Sequence, residues 1–220
     1  MKKHLITFLV DTSGSMWDKL ESVKEALDIF LSELEDDYDY DYDVQHDISV
    51  VTFGLDTCVL VPPTPAKQFH MPHITADGLT CIWKGLYQTF KLIDEWKSNN
   101  RKLGSSYYKP WIIIITDIEE DNAGDLPDDR FKELALQRLR GKKANIFSIG
   151  LGHNVSRAIL NQISYAEIQP IIIEIDNLKE LVLIFSREWY ALLYQSLSHY
   201  TLRDRWLDTL SEYEYLLIKQ

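Results

Sequence analysis

The chain has 220 residues, with 34 Asp or Glu against 23 Lys or Arg, and a formal net charge of −11. Binding through phosphates relies on cationic contacts, so this balance disfavours nucleic acid and anionic membrane surfaces as partners. There is no run of 18 or more apolar residues, and residues 2–4 lead into a short strand rather than a signal-peptide core. We therefore expect a soluble, cytoplasmic protein. Cys58 and Cys81 are too few and too far apart for a zinc cage.

Apolar spacing in the first half of the chain predicts a strand, an amphipathic helix, a hairpin and a second helix. They cover residues 5–10, 16–35, 48–53 with 58–61, and 82–96. The hairpin turn is predicted at residues 54–56, and Pro62, Pro63 and Pro65 are expected to end its second strand. The hairpin would add an antiparallel strand to the sheet.

The second half of the chain alternates strand and helix patterns. They cover residues 111–115, 131–139, 144–149, 155–163, 171–175 and 178–193. The continuous apolar run at 111–115 predicts a central strand that is covered on both faces. Alternation of this kind implies right-handed crossovers and a mostly parallel sheet. We predict an α/β fold: a doubly wound, mostly parallel sheet with one antiparallel edge strand and helices on both faces.

Oxygen-bearing side chains follow the predicted strands or precede a helix at three places. Asp11, Ser13 and Ser15 follow the first strand, Thr80 comes just before the helix at 82–96, and Asp117 follows the central strand. Hydroxyl groups at such junctions are also ordinary turn and capping chemistry. However, the carboxyl ends of parallel strands share one edge of the sheet. Oxygen ligands suit a hard cation such as Mg2+ or Mn2+, and the lack of thiolate or imidazole disfavours zinc.

This constellation resembles the metal-ion-dependent adhesion site (MIDAS) of the von Willebrand factor A (VWA) family. That site consists of an Asp-x-Ser-x-Ser motif, a distant Thr and a distant Asp, which Asp11, Ser13, Ser15, Thr80 and Asp117 match in order. The resemblance implies that the serines bind the metal directly, the threonine does so in at least one conformation, and the aspartates act through water. It also implies that a Glu or Asp of a partner protein completes the shell, without catalysis. We expect Mg2+, with Mn2+ or Ca2+ as alternatives.

The resemblance covers residues 1–196, which we interpret as one VWA domain with a Rossmann-like three-layer sandwich. Residues 197–220 are then a C-terminal helical extension. Its apolar stripe packs on the domain, binds a partner or binds a second copy of the chain; the stripe comprises Trp206, Leu210, Tyr213 and Leu217. The Asp- and Tyr-rich segment 36–43 lacks the Gly and Glu of a calcium-binding EF-hand and is predicted to be a solvated loop.

Two residues depart from the family pattern. Ile118 stands where the family commonly has Gly after the aspartate. The loop that carries Asp117 could therefore have a different backbone path from that of the family. Leu79 stands where the family commonly reads Gly-Gly-Thr, which bears on how closely Thr80 approaches the ion. Neither departure removes a ligating side chain.

Within the family, the chain is similar to the intracellular bacterial branch that resembles TerY, from tellurite-resistance and stress gene clusters. The similarity lies in the opening stretch 9–16, the strand at 48–53 and the Lys-Pro-Trp entry at 109–111. It implies a role in a bacterial stress-response complex. Some of these proteins carry a cysteine-rich ribbon at the carboxyl end, which has no counterpart in this sequence.

Two other functions stay open at this point. Haloacid-dehalogenase-like phosphatases carry Asp-x-Asp-Gly-Thr at a strand end, where the first Asp accepts the phosphoryl group and the second protonates the leaving group. Asp11 could take the first role, but Ser13 in the second position is no suitable general acid. The other alternative is a scaffold whose site has lost its metal.

Overall fold

The computed structural model describes residues 2–36, 44–119, 129–165 and 168–187. The strands within these ranges are β1 (Lys2–Asp11), β2 (Val44–Phe53), β3 (Thr57–Pro65), β4 (Trp111–Thr116), β5 (Asn145–Leu151) and β6 (Ile171–Ile173). The helices are α1 (Leu20–Asp36), α2 (Ile82–Lys102), α3 (Asp129–Arg140), α4 (Arg157–Ile163) and α5 (Leu178–Arg187). The proposed extension 197–220, and all but the first residue of the segment 36–43, lie outside the described residues.

The strands form one sheet in the order β3-β2-β1-β4-β5-β6. Neighbours from β2 to β6 are parallel, and β3 pairs with β2 in antiparallel orientation. The predicted fold class is therefore confirmed. From β1 the chain runs outward to β2 and β3, then returns through α2 to β4 on the other side of β1. The carboxyl ends of β1 and β4 thus flank the topological switch point, where open α/β sheets bind ligands.

Two hydrophobic cores lie on opposite faces of the sheet. In β1, Ile6 and Phe8 belong to the core beneath α1 and α5, whereas Leu5 and Leu9 belong to the core beneath α2, α3 and α4. Period-two alternation of side chains explains how one strand serves both faces. Every residue of β4 is buried, as its continuous apolar run predicts. This packing fixes the relative positions of the strand ends that carry the site.

The second strand of the hairpin differs from its prediction. β3 continues through Pro62, Pro63 and Pro65, so the prediction that these prolines end the strand is wrong. Proline lacks the N–H that a central strand must donate, but an edge strand pairs on one side only. β3 is the edge strand next to β2, and the prolines are tolerated there.

The first helix begins later than predicted. α1 starts at Leu20, and a short 3-10 turn at Gly14–Met16 precedes it, so the prediction of a helix from residue 16 is wrong. The N–H of Met16 donates to Ser13 O at 3.0 Å, and that of Lys19 donates to Met16 O at 2.9 Å. These bonds between residues three apart wind the segment more tightly than an α-helix. None of the described helices is long and apolar enough to cross a membrane.

Candidate metal centre

The five predicted ligands lie at the carboxyl edge of the sheet, at the end of β1 and in three loops. Asp11 is the last residue of β1, and Asp117 directly follows β4. Ser13 and Ser15 belong to the loop and 3-10 turn between β1 and α1, and Thr80 lies two residues before α2. The fold therefore places residues that are far apart in sequence at the switch point.

A chain of hydrogen bonds joins four of the predicted ligands. Ser13 N–H donates to Asp11 Oδ1 at 2.8 Å, and the hydroxyls of Ser13 and Ser15 are 3.1 Å apart. Ser15 Oγ then donates to Asp117 Oδ1 at 2.8 Å. Thr116 Oγ1 donates to Asp11 Oδ2 at 2.5 Å, a contact that the sequence pattern does not reveal because threonine is common in strands. The two carboxylates are thus linked through the backbone N–H of Ser13 and the hydroxyls of Ser13 and Ser15.

Thr80 is held near this chain through the backbone of its loop. Asp77 N–H donates to Thr12 O at 2.7 Å, and Gly14 N–H donates to Gly78 O at 3.0 Å. Gly78 has φ of 77°, a left-handed conformation that favours glycine over residues with a side chain. Thr80 follows two residues later and is buried. The loop that carries Thr80 is therefore attached to the loop that carries the serines.

Ile118 anchors the loop that carries Asp117. Its side chain is only 2% exposed and packs in the core beneath α2, α3 and α4. Its N–H donates to Thr116 Oγ1 at 3.1 Å, and its carbonyl accepts from Ser156 N–H at 2.8 Å. Ser156 is the N-cap of α4, so this loop is tied to a helix end. With Ile118 in place of glycine, Asp117 still lies beside Ser15.

Asp11 is a buried carboxylate that makes no ion pair with the described residues. It is 0% exposed, and among the described residues no ion pair joins it to Lys, Arg or His. Burial raises the pKa of Asp11 to about 6, although hydrogen bonds from Thr116 and Ser13 favour its ionised form. Burying an uncompensated charge is costly. A divalent cation at this point would supply the missing positive charge, so Asp11 fits a metal ligand.

Lys19 supplies a positive charge to the other carboxylate. Its Nζ donates to Asp117 Oδ2 at 2.9 Å and to Ser15 O at 2.8 Å, and lies 3.6 Å from Asp18. Burial alone would lower the pKa of Lys19, but its hydrogen bond with Asp117 raises it above the usual value. The motif does not point to Lys19; the available signal in the sequence is its spacing of four residues from Ser15. The side chain of Lys19 therefore belongs to the centre.

The donor set fits a hard divalent cation. Two carboxylates and three hydroxyls are available, and oxygen donors are preferred by Mg2+, Mn2+ and Ca2+. Over residues 2–36, 44–119, 129–165 and 168–187, no group of three or more His, Cys, Asp or Glu could hold a metal, so an ion at this edge would depend on the hydroxyls beside the two carboxylates. Cys58 is exposed, Cys81 is buried, and both are free thiols. The carboxyl edge is therefore the candidate metal centre of the described structure.

Solved structures with the same fold come from several kinds of organism. A von Willebrand factor type A protein from Catenulispora acidiphila has 18% identity and a TM-score of 0.62, and the match covers 85% of this chain and 42% of that one. The ArnB paralog VWA2 from Sulfolobus acidocaldarius has 17% identity and a TM-score of 0.55, with 84% and 45% covered. Proximal thread matrix protein 1 from the mussel byssus, with a zinc-occupied MIDAS motif, has 18% identity and a TM-score of 0.56, with 84% and 46% covered.

At these identities, the likeness shows a shared fold. The chain spans less than half of the length of each of these three structures. Comparison with curated proteins gives no match. Residues 6–187, by contrast, match the family of the von Willebrand factor type A domain. Because that match includes most of the sequence, the chain belongs to the von Willebrand factor type A domain family.

Proposed function

We propose that this chain is a metal-dependent protein-binding module. Asp11, Ser13, Ser15, Thr80 and Asp117 would hold one divalent cation, and an open coordination position would accept a Glu or Asp carboxylate from a partner protein. VWA domains in general mediate protein–protein interactions, which supports this proposal. The observation that carries it is the hydrogen-bonded chain from buried Asp11 through the two serines to Asp117.

The roles of the residues follow from their donor atoms. Ser13, Ser15 and Thr80 would supply neutral hydroxyl oxygens, while Asp11 and Asp117 would offset the charge of the ion through water. Mg2+ keeps several waters and takes few protein groups, so a partner carboxylate could replace one of those waters. We propose Mg2+ as the ion, with Mn2+ or Ca2+ as alternatives. The mussel structure with zinc in its MIDAS makes Zn2+ a necessary competitor in any binding assay.

We propose that the centre carries out no reaction. In a haloacid-dehalogenase-like phosphatase, Asp11 would attack phosphate, but it is buried and both of its carboxylate oxygens accept hydrogen bonds. Ser13 lacks the acidity to protonate a leaving group. The test is hydrolysis of p-nitrophenyl phosphate by the full chain with Mg2+. Hydrolysis by the wild type that is absent in Asp11→Asn would show that the chain is a phosphatase and would overturn this proposal.

The biological setting that we propose is a cytoplasmic bacterial complex of the stress-response or tellurite-resistance type. It rests on the resemblance of the motif region to TerY-like proteins. The net charge of −11 makes nucleic acid and anionic membranes poor partners, because phosphate groups would be repelled. A protein partner that offers a Glu or Asp suits both the charge and the candidate centre.

The proposal can be tested by affinity capture from host lysate. The full chain serves as bait in Mg2+ and in EDTA, beside Asp11→Ala and the control Asp18→Ala, which alters an exposed carboxylate nearby. We expect partners to be retained in Mg2+ by the wild type and by Asp18→Ala, and to be lost in EDTA and by Asp11→Ala. A partner list that is identical in all four samples would favour the metal-free scaffold instead.

A further inference from the structure

Exposed apolar side chains are concentrated around the candidate metal centre. Among the described residues, the exposed large hydrophobic side chains are Trp17 (79%), Leu55 (51%), Leu79 (44%) and Leu103 (76%). Leu103 follows the end of α2. The segment after it lies beside the start of β1, where Lys3 N–H donates to Ser106 O. The other three lie in the loops at the carboxyl edge. We call Trp17, Leu55 and Leu79 the apolar rim.

The three loops that carry the apolar rim are in direct contact. Trp17 N–H donates to Gly14 O at 3.3 Å, and Gly14 N–H donates to Gly78 O at 3.0 Å. A Cβ placed on Gly78 would lie 2.7 Å from Cβ of Leu55, so Leu55 packs directly against the residue before Leu79. The rim therefore belongs to the same packed surface as the metal ligands.

Trp17 is the most unusual member of the rim. Tryptophan carries a large apolar surface that folding normally covers, and it is enriched among the residues that dominate protein–protein binding. Single exposed leucines are common on protein surfaces, but a cluster beside a polar centre is typical of an interaction site. The position of Trp17, two residues after Ser15, makes it available to a partner that reaches the metal.

Charge at this edge restricts the partner further. Asp18, Asp56 and Asp77 are exposed around the centre; Asp18 lies 3.6 Å from Lys19 and Asp56 lies 3.8 Å from Lys84, and Lys19 is also bonded to Asp117. Like charges across an interface are repelled, so a run of acidic residues is a poor ligand for this surface. A single carboxylate that contacts the cation avoids most of that repulsion. The flanking side chains of the ligand then meet the apolar rim.

The spacing along the chain limits where those flanking side chains lie. Consecutive Cα atoms are about 3.8 Å apart, so Leu79 lies one such step from Thr80 and Trp17 at most two steps from Ser15. An extended ligand advances about 3.3 Å per residue. Side chains within about two residues of the bound carboxylate can therefore reach the rim.

We propose that the apolar rim binds an extended protein segment in which one Glu or Asp is flanked, within two residues, by large apolar side chains. Trp17 is the main anchor for those side chains. The inference rests on the proposed metal-dependent function, because the metal fixes the carboxylate of the segment. It adds the chemical class of the partner, which the metal centre alone does not specify.

A displayed peptide library tests this inference on the full chain. Each peptide has a fixed central Glu and three random positions on either side, and binders are selected in Mg2+ and released with EDTA. We expect Leu, Ile, Met, Phe and Trp to be enriched at the two positions nearest the Glu on each side. The best peptide should then bind Trp17→Ser about tenfold more weakly than the wild type. Leu79→Ser should weaken binding in the same direction.

Leu103→Ser is the matched control, because Leu103 is as exposed as Trp17 but lies away from the rim. It should bind the peptide as the wild type does. Selection of Glu peptides with polar flanks, released by EDTA, would overturn the rim proposal and leave the metal-dependent function standing. Retention that is equal in Mg2+ and EDTA would count against the metal-dependent function, and against the rim proposal that rests on it.

Discussion

The ammonium of Lys19 lies 2.9 Å from Oδ2 of Asp117, while the other oxygen of the same carboxylate accepts the hydroxyl of Ser15. A cation of the chain itself therefore contacts a predicted metal ligand. A divalent ion bound near Asp117 would be repelled by this positive charge at short range. Lys19 should thus lower the affinity of the centre for metal while stabilising the metal-free fold.

Lys19→Met should raise the affinity for Mg2+ by about tenfold, because it removes a positive charge within a few ångströms of the ion. Isothermal titration calorimetry of the full chain measures the change. Lys24→Met is the control, since it removes the same charge from α1 where Lys24 pairs with Glu21 at 3.3 Å. Unchanged or weaker Mg2+ binding by Lys19→Met would show that the ammonium does not compete with metal.

Ile118 should matter for stability rather than for metal binding. Ile118→Ala should cost about 3 kcal/mol in the free energy of unfolding, and Ile118→Val about 1 kcal/mol, because buried methyl groups are lost from a packed core. Urea unfolding measures both values. Ile118→Val should bind Mg2+ as the wild type does, since Asp117 lies beside Ser15 with Ile118 packed in the core. A changed affinity at unchanged stability would assign Ile118 to the site instead.

Asp11→Asn should stabilise the metal-free protein at pH 8. The folded state raises the pKa of Asp11 from 3.8 to about 6. Protonated Asp11 therefore favours the folded state fully below pH 3.8, and this contribution to stability is lost as pH rises through 6. Asn has a similar shape without the buried charge: its amide oxygen can accept from Ser13 N–H, and its amide nitrogen can donate to Thr116 Oγ1. We expect a gain of up to about 3 kcal/mol in EDTA. A thermal melt showing clear destabilisation of Asp11→Asn in EDTA would contradict this interpretation of Asp11.

Two buried histidines should make the fold sensitive to acid. Nδ1 of His4 lies 3.3 Å from Nδ1 of His46 across β1 and β2. Burial lowers the pKa of His46 from 6.5 to about 4. Burial and the charge of His46 lower that of His4, against a hydrogen bond with the Lys109 backbone. Between these pH values the unfolded state binds more protons, so stability falls as pH falls.

His46→Asn should therefore flatten the dependence of unfolding free energy on pH. The wild type should lose about 3 kcal/mol more than the variant between pH 6.5 and pH 4, from the shift of His46 alone. Urea titrations at several pH values in EDTA measure this difference, and the opposite contribution of Asp11 is common to both proteins. The exposed His73 provides the control variant His73→Asn. Equal pH profiles for the wild type and His46→Asn would rule out this effect.

The fold class, and the placement of the candidate residues at one edge of the sheet, could be predicted because both have local signatures. Asp11, Ser13 and Ser15 follow a strand in one short motif, and strand–helix alternation specifies a sheet whose parallel strands end at one edge. That edge is where the structure places Asp117 as well.

Other features depend on tertiary position and have no local signature. The prolines of β3 are compatible with a strand only because β3 is at the edge of the sheet. The contact of Lys19 with Asp117 joins residues 98 positions apart, which only the folded sheet brings together. The exposure of Trp17 likewise depends on the residues around it in the folded chain, and the residue type alone does not predict it.

The most direct test of the metal centre is a Mn2+ titration. Binding is measured as the loss of the electron paramagnetic resonance signal of the free ion. We expect one site per chain in the wild type and in Asp18→Asn, with competition by Mg2+, and loss of that site in Asp11→Asn. Asp18 is exposed beside the centre, so its variant controls for the loss of one negative charge. Equal Mn2+ binding by Asp11→Asn, or no binding by the wild type, would contradict a metal centre at these residues.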